Sequence, residues 1–202
     1  NQACLDHIFV GKVASCLVNP RAGAETELNY LPTTYKKRIA VVGAGPAGLA
    51  CATVAAQRGH AVTLFDAADA IGGQFNLARR IPGKEEFNET LRYFGERIAG
   101  TGVELRLGTL ATPAELAGFD EIVLATGILP RRVDFPGADH PRVTGYIDVL
   151  SGRNVPGRRV AIIGAGGIGF DVAEFLVHEG VSPSLDGERW RAEWGVDFDG
   201  GG

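Results

Sequence analysis

Residues 38–48 read RIAVVGAGPAG, and this stretch decides the fold. Arg38 to Val42 is a short apolar run typical of a buried strand, and a glycine-rich loop follows it directly. The sequence after the loop is rich in Ala and Leu, which favours a helix that stops at Gly59, where a C-cap glycine belongs. A second apolar run, Ala61 to Phe65, closes on Asp66. The pattern predicts a strand–helix–strand unit and therefore a parallel sheet.

The glycine loop has the spacing of a dinucleotide-binding turn. Gly43 permits the sharp turn out of the strand, Gly45 lets the backbone approach a pyrophosphate, and Gly48 lets the helix and the strand pack closely. The N-terminus of the helix offers free N–H groups and a partial positive charge to that anion. Pro46 fits there because the first N–H groups of a helix have no intrahelical partner.

Asp66 strengthens this interpretation because it ends the second predicted strand, 23 residues after Gly43. A carboxylate in this place accepts hydrogen bonds from ribose hydroxyls and repels a 2′-phosphate. We therefore predict that the first site binds the adenosine of FAD or NAD rather than NADP. The alternative is a glycine turn in an α/β domain that binds no nucleotide.

A second glycine signature stands at residues 164–169, GAGGIG. It follows a predicted strand, Arg159 to Ile163, and precedes a helix that should end near Gly180. The residues expected to face inward on this helix are Ile168, Val172, Phe175 and Leu176. The predicted nucleotide contacts of this loop are Gly164, Gly166, Gly167, Ile168 and Gly169.

The residue that would select NAD or NADP at this second loop should lie on the next strand, which the sequence does not reveal. Asp171 and Glu174 lie on the helix itself and are interpreted as solvated or capping groups. The choice between NADPH and NADH therefore stays open, and so does a loop that binds no nucleotide.

Between the two signatures the sequence predicts more of the same sheet. Pro82-Gly83 should open a helix whose apolar stripe is Phe87, Leu91, Phe94 and Ile98. Val103, Leu105 and Leu107 alternate as in a half-buried strand. A further strand, Glu121 to Ala125, runs into Thr126-Gly127. Residues 128–157 contain four prolines and are predicted to form an irregular linker.

Composition narrows the class of protein. A net charge of −4 without a dense Lys/Arg run argues against nucleic acid or an anionic membrane surface as a partner. No apolar stretch reaches bilayer length. Three cysteines, an odd number, favour a reducing cytoplasm over a disulfide scaffold. The chain begins at Asn1 and ends in three glycines, which we interpret as cuts in a longer protein.

Two dinucleotide folds in one chain predict a flavoprotein that binds FAD and a nicotinamide nucleotide. The combination of GAGPAG at 43–48, IGGQ at 71–74 and ATG at 125–127 resembles the broad family of two-dinucleotide-domain flavoprotein reductases. Disulfide reductases additionally need two closely spaced cysteines beside the flavin. Cys51 stands alone inside the first helix, and we interpret it as a small core residue.

The first residues resemble a narrower group. NQACLDHIFVGK at 1–12 and CLVNPR at 16–21 are similar to the iron–sulfur segment of the bacterial type of NADPH-dependent 2,4-dienoyl-CoA reductase. The similarity continues through 71–76, 81–87 and 164–180. It implies an irregular iron–sulfur segment at 1–35, an incomplete FAD-binding domain at 36–152 and the start of an NAD(P)H-binding domain at 153–202.

In that family electrons pass from NADPH to FAD, to a [4Fe–4S] cluster, and to FMN in a barrel that reduces the dienoyl-CoA. The resemblance makes Cys4 and Cys16 the last two cluster ligands and places the first two before Asn1. Since such clusters normally take four thiolates, we expect no intact cluster and no enoyl reduction by this chain alone. Without the resemblance, the spacing of Cys4 and Cys16 matches no common metal site.

The resemblance also suggests which residues contact FAD. Ala47 and Ala111 would act through backbone groups, Asp66 through its carboxylate, Gln74 near the flavin and Lys84 near the phosphates. Gly73, Thr126 and Gly127 complete the set. Lys84 could instead be a solvated charge, and Gln74 an ordinary loop amide.

Three functions therefore remain open. The first is the electron-transfer segment of a dienoyl-CoA reductase, whose FMN barrel and C-terminal segment would lie elsewhere in the parent chain. The second is a related iron–sulfur flavoprotein, of the enoate reductase or amine dehydrogenase type. The third is a dinucleotide-binding module without catalytic activity.

Overall fold

The structure is a computed structural model that describes residues 7–16, 19–131 and 133–197. Cys4, one of the two predicted cluster ligands, lies outside the described residues. The chain forms two compact units, residues 1–73 with 90–128 and residues 74–89 with 129–202. This division differs from the domain boundary expected at 152/153, which stays a prediction.

The first unit contains a four-stranded parallel sheet, as predicted. Its strands are β1 (Arg38–Val42), β2 (Ala61–Phe65), β3 (Glu104–Arg106) and β4 (Glu121–Leu124). They lie side by side in the order β3-β2-β1-β4, and every neighbouring pair is parallel. The fold is therefore the Rossmann-like α/β class expected from the first glycine signature.

The described helices are α1 (Pro46–Gln57), α2 (Phe75–Ala78), α3 (Phe87–Thr101), α4 (Pro113–Leu116), α5 (Tyr146–Ser151), α6 (Gly167–Val177) and α7 (Gly187–Trp194), with a short 3₁₀ helix at Pro183–Leu185. Helix α1 connects β1 to β2 and stops just before Gly59, as predicted. Helix α3 buries Leu91, Phe94 and Ile98, three of the four stripe residues.

The core of the first unit lies between the sheet and the helices. Val41, Leu49, Leu64 and Phe65 are completely buried. Burying one such side chain contributes about 1.5–3 kcal/mol, so these positions hold β1, α1 and β2 in a fixed arrangement. The rigid arrangement fixes the positions of the loops that leave the strands.

Two expectations about α3 and β3 need correction. Pro82-Gly83 forms a turn, and α3 begins only at Phe87. Leu105 is 36% exposed and therefore more than half buried, but β3 covers only Glu104–Arg106 of the alternating run that was predicted from Val103 to Leu107. β3 is an edge strand of three residues, so its side chains have a neighbouring strand on one side only.

The second unit has its own small core of Ile81, Val149, Leu150 and Val172. Val149 and Leu150 belong to α5, a helix inside the stretch that was predicted to be an irregular linker. The linker was predicted because four prolines break this stretch. No proline falls between Pro141 and Pro156, however, which leaves room for six helical residues. Tertiary packing against α6 supplies the stability that so short a helix lacks alone.

Of the second predicted strand–loop–helix, the loop and the helix form but the strand does not. Residues 159–163 pair with no other strand among the described residues, and Val160, Ile162 and Ile163 are exposed. A parallel strand needs a neighbour to bond its backbone, and the second unit as described offers none. Helix α6 buries Val172, whereas Ile168, expected to face inward, is 52% exposed.

No helix within 7–16, 19–131 or 133–197 has both the length and the apolar character needed to cross a membrane.

Candidate functional site

The carboxyl ends of the strands in the first unit bring the predicted FAD residues to one edge of the sheet. Gly43 follows β1, Asp66 follows β2, and Ala125 follows β4. β2 and β4 lie on opposite sides of β1. The connection from β1 to β2 therefore runs to one side of the sheet, and the connection from β3 to β4 runs back past β1 to the other side. In open α/β sheets, ligands bind in the crevice that this reversal creates.

Gly43 and Gly48 allow the close packing that this loop requires. Gly43 has φ +108°, and a Cβ there would run into the carbonyl group of Ala125. A Cβ on Gly48 would overlap the carbonyl oxygen of Gly43 itself. A side chain at Gly43 would push the loop away from the end of β4, and one at Gly48 would push helix α1 away from the end of β1. Both glycines therefore serve the shape of the loop.

Gly45 has a different role from its two neighbours. A Cβ at Gly45 would meet no atom within 4 Å among the described residues. The glycine is the N-cap of α1 and provides no side chain to its free N–H groups. Together with Pro46 and Ala47, it leaves the positive end of the helix dipole open to an anion such as a pyrophosphate.

Asp66 is fixed by two backbone hydrogen bonds. Its Oδ2 accepts the N–H of Ala44 at 2.6 Å, and its Oδ1 accepts the N–H of Ala68 at 2.8 Å. A carboxylate has about four lone-pair sites, so two remain for ribose hydroxyls. The carboxylate thus ties the glycine loop to the end of β2 and still has acceptor capacity toward a nucleotide.

A second loop packs directly on the first. The N–H of Gly72 donates to the carbonyl of Ala44 at 2.8 Å, and a Cβ on Gly73 would lie 3.1 Å from the Cα of Gly45. Gly73 therefore lies beside the open face of Gly45, as a residue that borders the bound cofactor should. Gly72 belongs to the IGGQ motif at 71–74, but the motif alone does not predict this bond to the glycine loop.

The remaining predicted contacts of the first unit also stand at the carboxyl edge. Ala111 precedes α4, whose capping box joins Thr112 and Glu115. The backbone N–H and the hydroxyl of Thr112 lower the pKa of the Glu115 carboxyl. Thr126 and Gly127 follow β4 and are exposed. All three predicted residues can therefore be reached from solvent at the same edge as Asp66.

The second glycine loop repeats the local geometry of the first. Gly164 has φ +117°, and a Cβ on Gly169 would overlap the carbonyl oxygen of Gly164. Gly166 is the N-cap of α6, and Cβ atoms on Gly166 and Gly167 would meet nothing within 4 Å among the described residues. The loop therefore has the form of a pyrophosphate cradle although residues 159–163 form no sheet.

Gln74 and Lys84 belong to the second unit. Gln74 is the N-cap of the short helix α2. The Nζ of Lys84 lies 2.6 Å from both carboxylate oxygens of Asp171 on α6. The interpretation of Asp171 as a solvated or capping group is therefore wrong, because the carboxylate pairs with Lys84. Nothing in the sequence spacing indicates this pair, which lies 87 residues apart.

Substitutions at this pair test the predicted FAD contact of Lys84. We expect Lys84→Gln to weaken FAD binding and Asp171→Asn to leave it unchanged or stronger, since the second change releases the lysine. Because both side chains are partly exposed, losing the pair alone should cost no more than about 1 kcal/mol of stability. FAD titration and thermal unfolding measure the two effects. Equal FAD affinity in Lys84→Gln and wild type would exclude the contact.

The described cysteines provide no metal centre. No cluster of three or more metal-ligating side chains occurs in the described ranges, which include Cys16 but not Cys4. Cys16 and Cys51 are both free of disulfides. Burial raises the pKa of the Cys51 thiol, which packs against the core on α1 as predicted. A partly buried thiol with a raised pKa is a poor nucleophile and a poor ligand.

Comparison with known proteins agrees with this geometry. The pyridine nucleotide-disulphide oxidoreductase family matches residues 37–185, well over half of the chain. The chain belongs to this family. It is an electron-transfer module of a flavoprotein oxidoreductase, with the FAD- and NAD(P)-binding fold that the two glycine loops predicted.

Two individual proteins are similar to nearly all of the chain. A metal reductase of Desulforamulus reducens is 40% identical over 197 residues, which is 95% of this chain and 29% of that protein. A bilirubin reductase of Mediterraneibacter gnavus is 35% identical over 92% of this chain and 29% of its own length.

A solved structure also resembles this chain. The complex of 2-naphthoyl-CoA reductase with 2-naphthoyl-CoA superimposes with a TM-score of 0.82 and 33% identity, over 96% of this chain and 33% of that one. The chain thus spans about a third or less of the relatives that it matches. The similarity to 2,4-dienoyl-CoA reductase stays a hypothesis.

Proposed function

We propose that this chain binds FAD at the first glycine loop and NAD(P)H at the second, and carries electrons from NADPH toward an acceptor elsewhere in its protein. The observation that carries the proposal is the paired geometry of the loops. Gly45 and Gly166 each cap a helix, and each leaves open space where a Cβ would stand. Open space alone is not specific, because Gly145 also caps a helix with nothing near its Cβ position. Both loops in addition begin with a glycine of positive φ, and a Cβ on their last glycine, Gly48 or Gly169, would overlap the carbonyl oxygen of that first glycine. This combination is the one that a dinucleotide-binding loop requires.

The residues present fit the two cofactors. The N-termini of α1 and α6 are free of side-chain caps and suit pyrophosphate groups. When bound, FAD would take a hydride from the nicotinamide and pass on the two electrons singly.

The chain's own residues would bind and orient the cofactor. Asp66 would hold the adenosine ribose while its bonds to Ala44 and Ala68 keep the carboxylate in place. Gly73 would border the pyrophosphate from the second side, next to Gly45. Gln74, Lys84, Ala111, Thr126 and Gly127 are proposed as further FAD contacts.

The finer proposal concerns the acceptor. We propose that the full-length protein reduces 2,4-dienoyl-CoA through a [4Fe–4S] cluster and an FMN barrel, in the oxidation of unsaturated fatty acids. The resemblance of residues 1–21 supports it, and so does the acyl-CoA named for the similar solved structure. Cys16 provides one thiolate and Cys4 lies outside the described residues, so no step through a cluster can be derived from this geometry.

A reductase with another acceptor is the second candidate. The similar proteins are named for reducing a metal, bilirubin and an aromatic acyl-CoA, although each contains a region like this chain. These proteins would share the region that takes electrons from the nicotinamide nucleotide and differ in the substrate that finally accepts them. The specificity for the acceptor would then reside outside this region. An enoate reductase or an amine dehydrogenase would fit the same module.

Flavin reduction in the full-length protein tests the electron-input proposal. Under anaerobic conditions NADPH should bleach the FAD absorbance, with NADH as the parallel measurement of nucleotide preference. Gly166→Ala should raise the KM for the nucleotide without lowering FAD content, because its Cβ enters the open space of the second loop only. FAD that stays oxidised with both nucleotides would instead favour a non-catalytic binding module.

Acceptor specificity needs a separate measurement. The NADPH-reduced protein should be mixed with a 2,4-dienoyl-CoA, cinnamate, bilirubin or ferric citrate, and flavin reoxidation followed. Fast reoxidation by the dienoyl-CoA alone supports the finer proposal. Preference for another acceptor refutes that proposal but leaves the electron-input function intact.

A further inference from the structure

A cavity in the first unit lies away from both glycine loops. It has a volume of about 180 Å³ and is lined by residues 19–21 and Tyr30 together with residues of helices α1 and α3. Helix α1 contributes Ala50, Thr53 and Gln57, which share the face one to three turns beyond Gly45. The cavity is smaller than the 300–1,000 Å³ typical of drug-sized ligands, so it suits a small ion better than a dinucleotide.

Two of the residues that line this cavity are arginines with a buried, unpaired Nε. Arg21 and Arg97 both line it, and the Nε of each is buried without a hydrogen-bond partner in the described part of the chain. Buried N–H groups almost always have a partner in folded proteins, and an unpaired charged donor is especially unfavourable. Both guanidinium groups therefore keep donor capacity for an acceptor bound beside them.

The guanidinium of Arg21 is held in a defined orientation. Its Nη2 donates to the carbonyl oxygen of Glu25 at 3.1 Å, and its Cζ lies 5.6 Å from the centre of the Tyr30 ring. These contacts fix the plane of the group but leave Nε unpaired. A side chain fixed in this way has already lost the conformational freedom that binding a ligand would otherwise remove.

The charges around the cavity favour a negatively charged ligand. Among the described residues no Asp or Glu lines it, so two like positive charges share a small space without a counter-ion. Planar guanidinium groups bind phosphate in two-point contacts. We propose that Arg21 and Arg97 bind a phosphate dianion in this cavity, either free phosphate or the phosphoryl group of a small metabolite.

Calorimetric titration of the full-length protein with inorganic phosphate tests this site. Ionic strength should be held constant with chloride, so that general salt effects cancel. We expect saturable binding that is at least 10-fold weaker in Arg97→Gln. Arg92→Gln, an exposed arginine on the same helix, is the matched control and should bind phosphate like wild type.

A second variant keeps the test decisive if Arg97→Gln unfolds. Arg97→Lys retains the positive charge but loses two-point contact, so it should fold, as thermal unfolding would show, and still bind phosphate more weakly. Glycerol 3-phosphate distinguishes the two sources, because tighter binding than phosphate indicates a metabolite and weaker binding indicates the free ion. Absence of saturable binding, or equal affinity in wild type and both Arg97 variants, would overturn the proposal.

Discussion

Gly48→Ala in the full-length protein should abolish FAD binding and destabilise the first unit by about 3 kcal/mol or more. The added Cβ would overlap the carbonyl oxygen of Gly43, a backbone atom that cannot rotate away. Relief requires α1 to separate from β1, where Val41 and Leu49 are completely buried. Thermal unfolding and flavin content after removal of free cofactor would measure both losses.

Two other glycines provide matched controls. Gly45→Ala should fold normally, because its Cβ meets open space, but should bind FAD more weakly because the methyl group enters the pyrophosphate position. Gly95→Ala on α3 also has open space and should gain about 1 kcal/mol of helix stability without changing FAD content. A fully stable, FAD-loaded Gly48→Ala protein would contradict the described packing.

Asp66→Ala should weaken FAD binding by about 10- to 100-fold. The variant loses the predicted bonds to ribose, and it also loses the acceptor for the N–H of Ala44. The glycine loop would then no longer be tied to the end of β2. Equilibrium titration with FAD, followed by flavin fluorescence, would give the change in Kd.

Asp69→Ala removes the same charge three residues away, from an exposed position, and should leave the Kd within about twofold of wild type. Asp66→Asn separates the two roles, since the amide oxygen can still accept one N–H but bears no charge. An Asp66→Ala protein with wild-type affinity would exclude Asp66 from the nucleotide site.

Local sequence predicts most of the first unit because its main strands and helices carry their own signals. The apolar runs of β1 and β2, the glycine spacing at 43–48 and the stripe on α3 all predict structure from residues near each other in the chain. The parallel sheet follows from them, since a strand–helix–strand unit with a right-handed crossover has few alternatives.

The second unit shows where local signals fail. Residues 159–163 have the composition of a strand, yet strand formation depends on a neighbouring strand, and the unit as described provides none. Helix α5 shows the opposite error. Its proline-rich surroundings predict an irregular linker, but the packing of Val149 and Leu150 stabilises a helix.

The residues of the candidate sites also fall into two groups, those predicted from the sequence and those that only the tertiary structure brings together. The sequence by itself determined the two glycine loops, Asp66 and the parallel fold, because backbone conformation and close approach restrict those positions to particular residues. Only the tertiary structure paired Lys84 with Asp171 and brought Arg21 and Arg97 to one cavity. Such contacts join residues far apart in the chain, and their geometry depends on how whole elements pack, which no local spacing records.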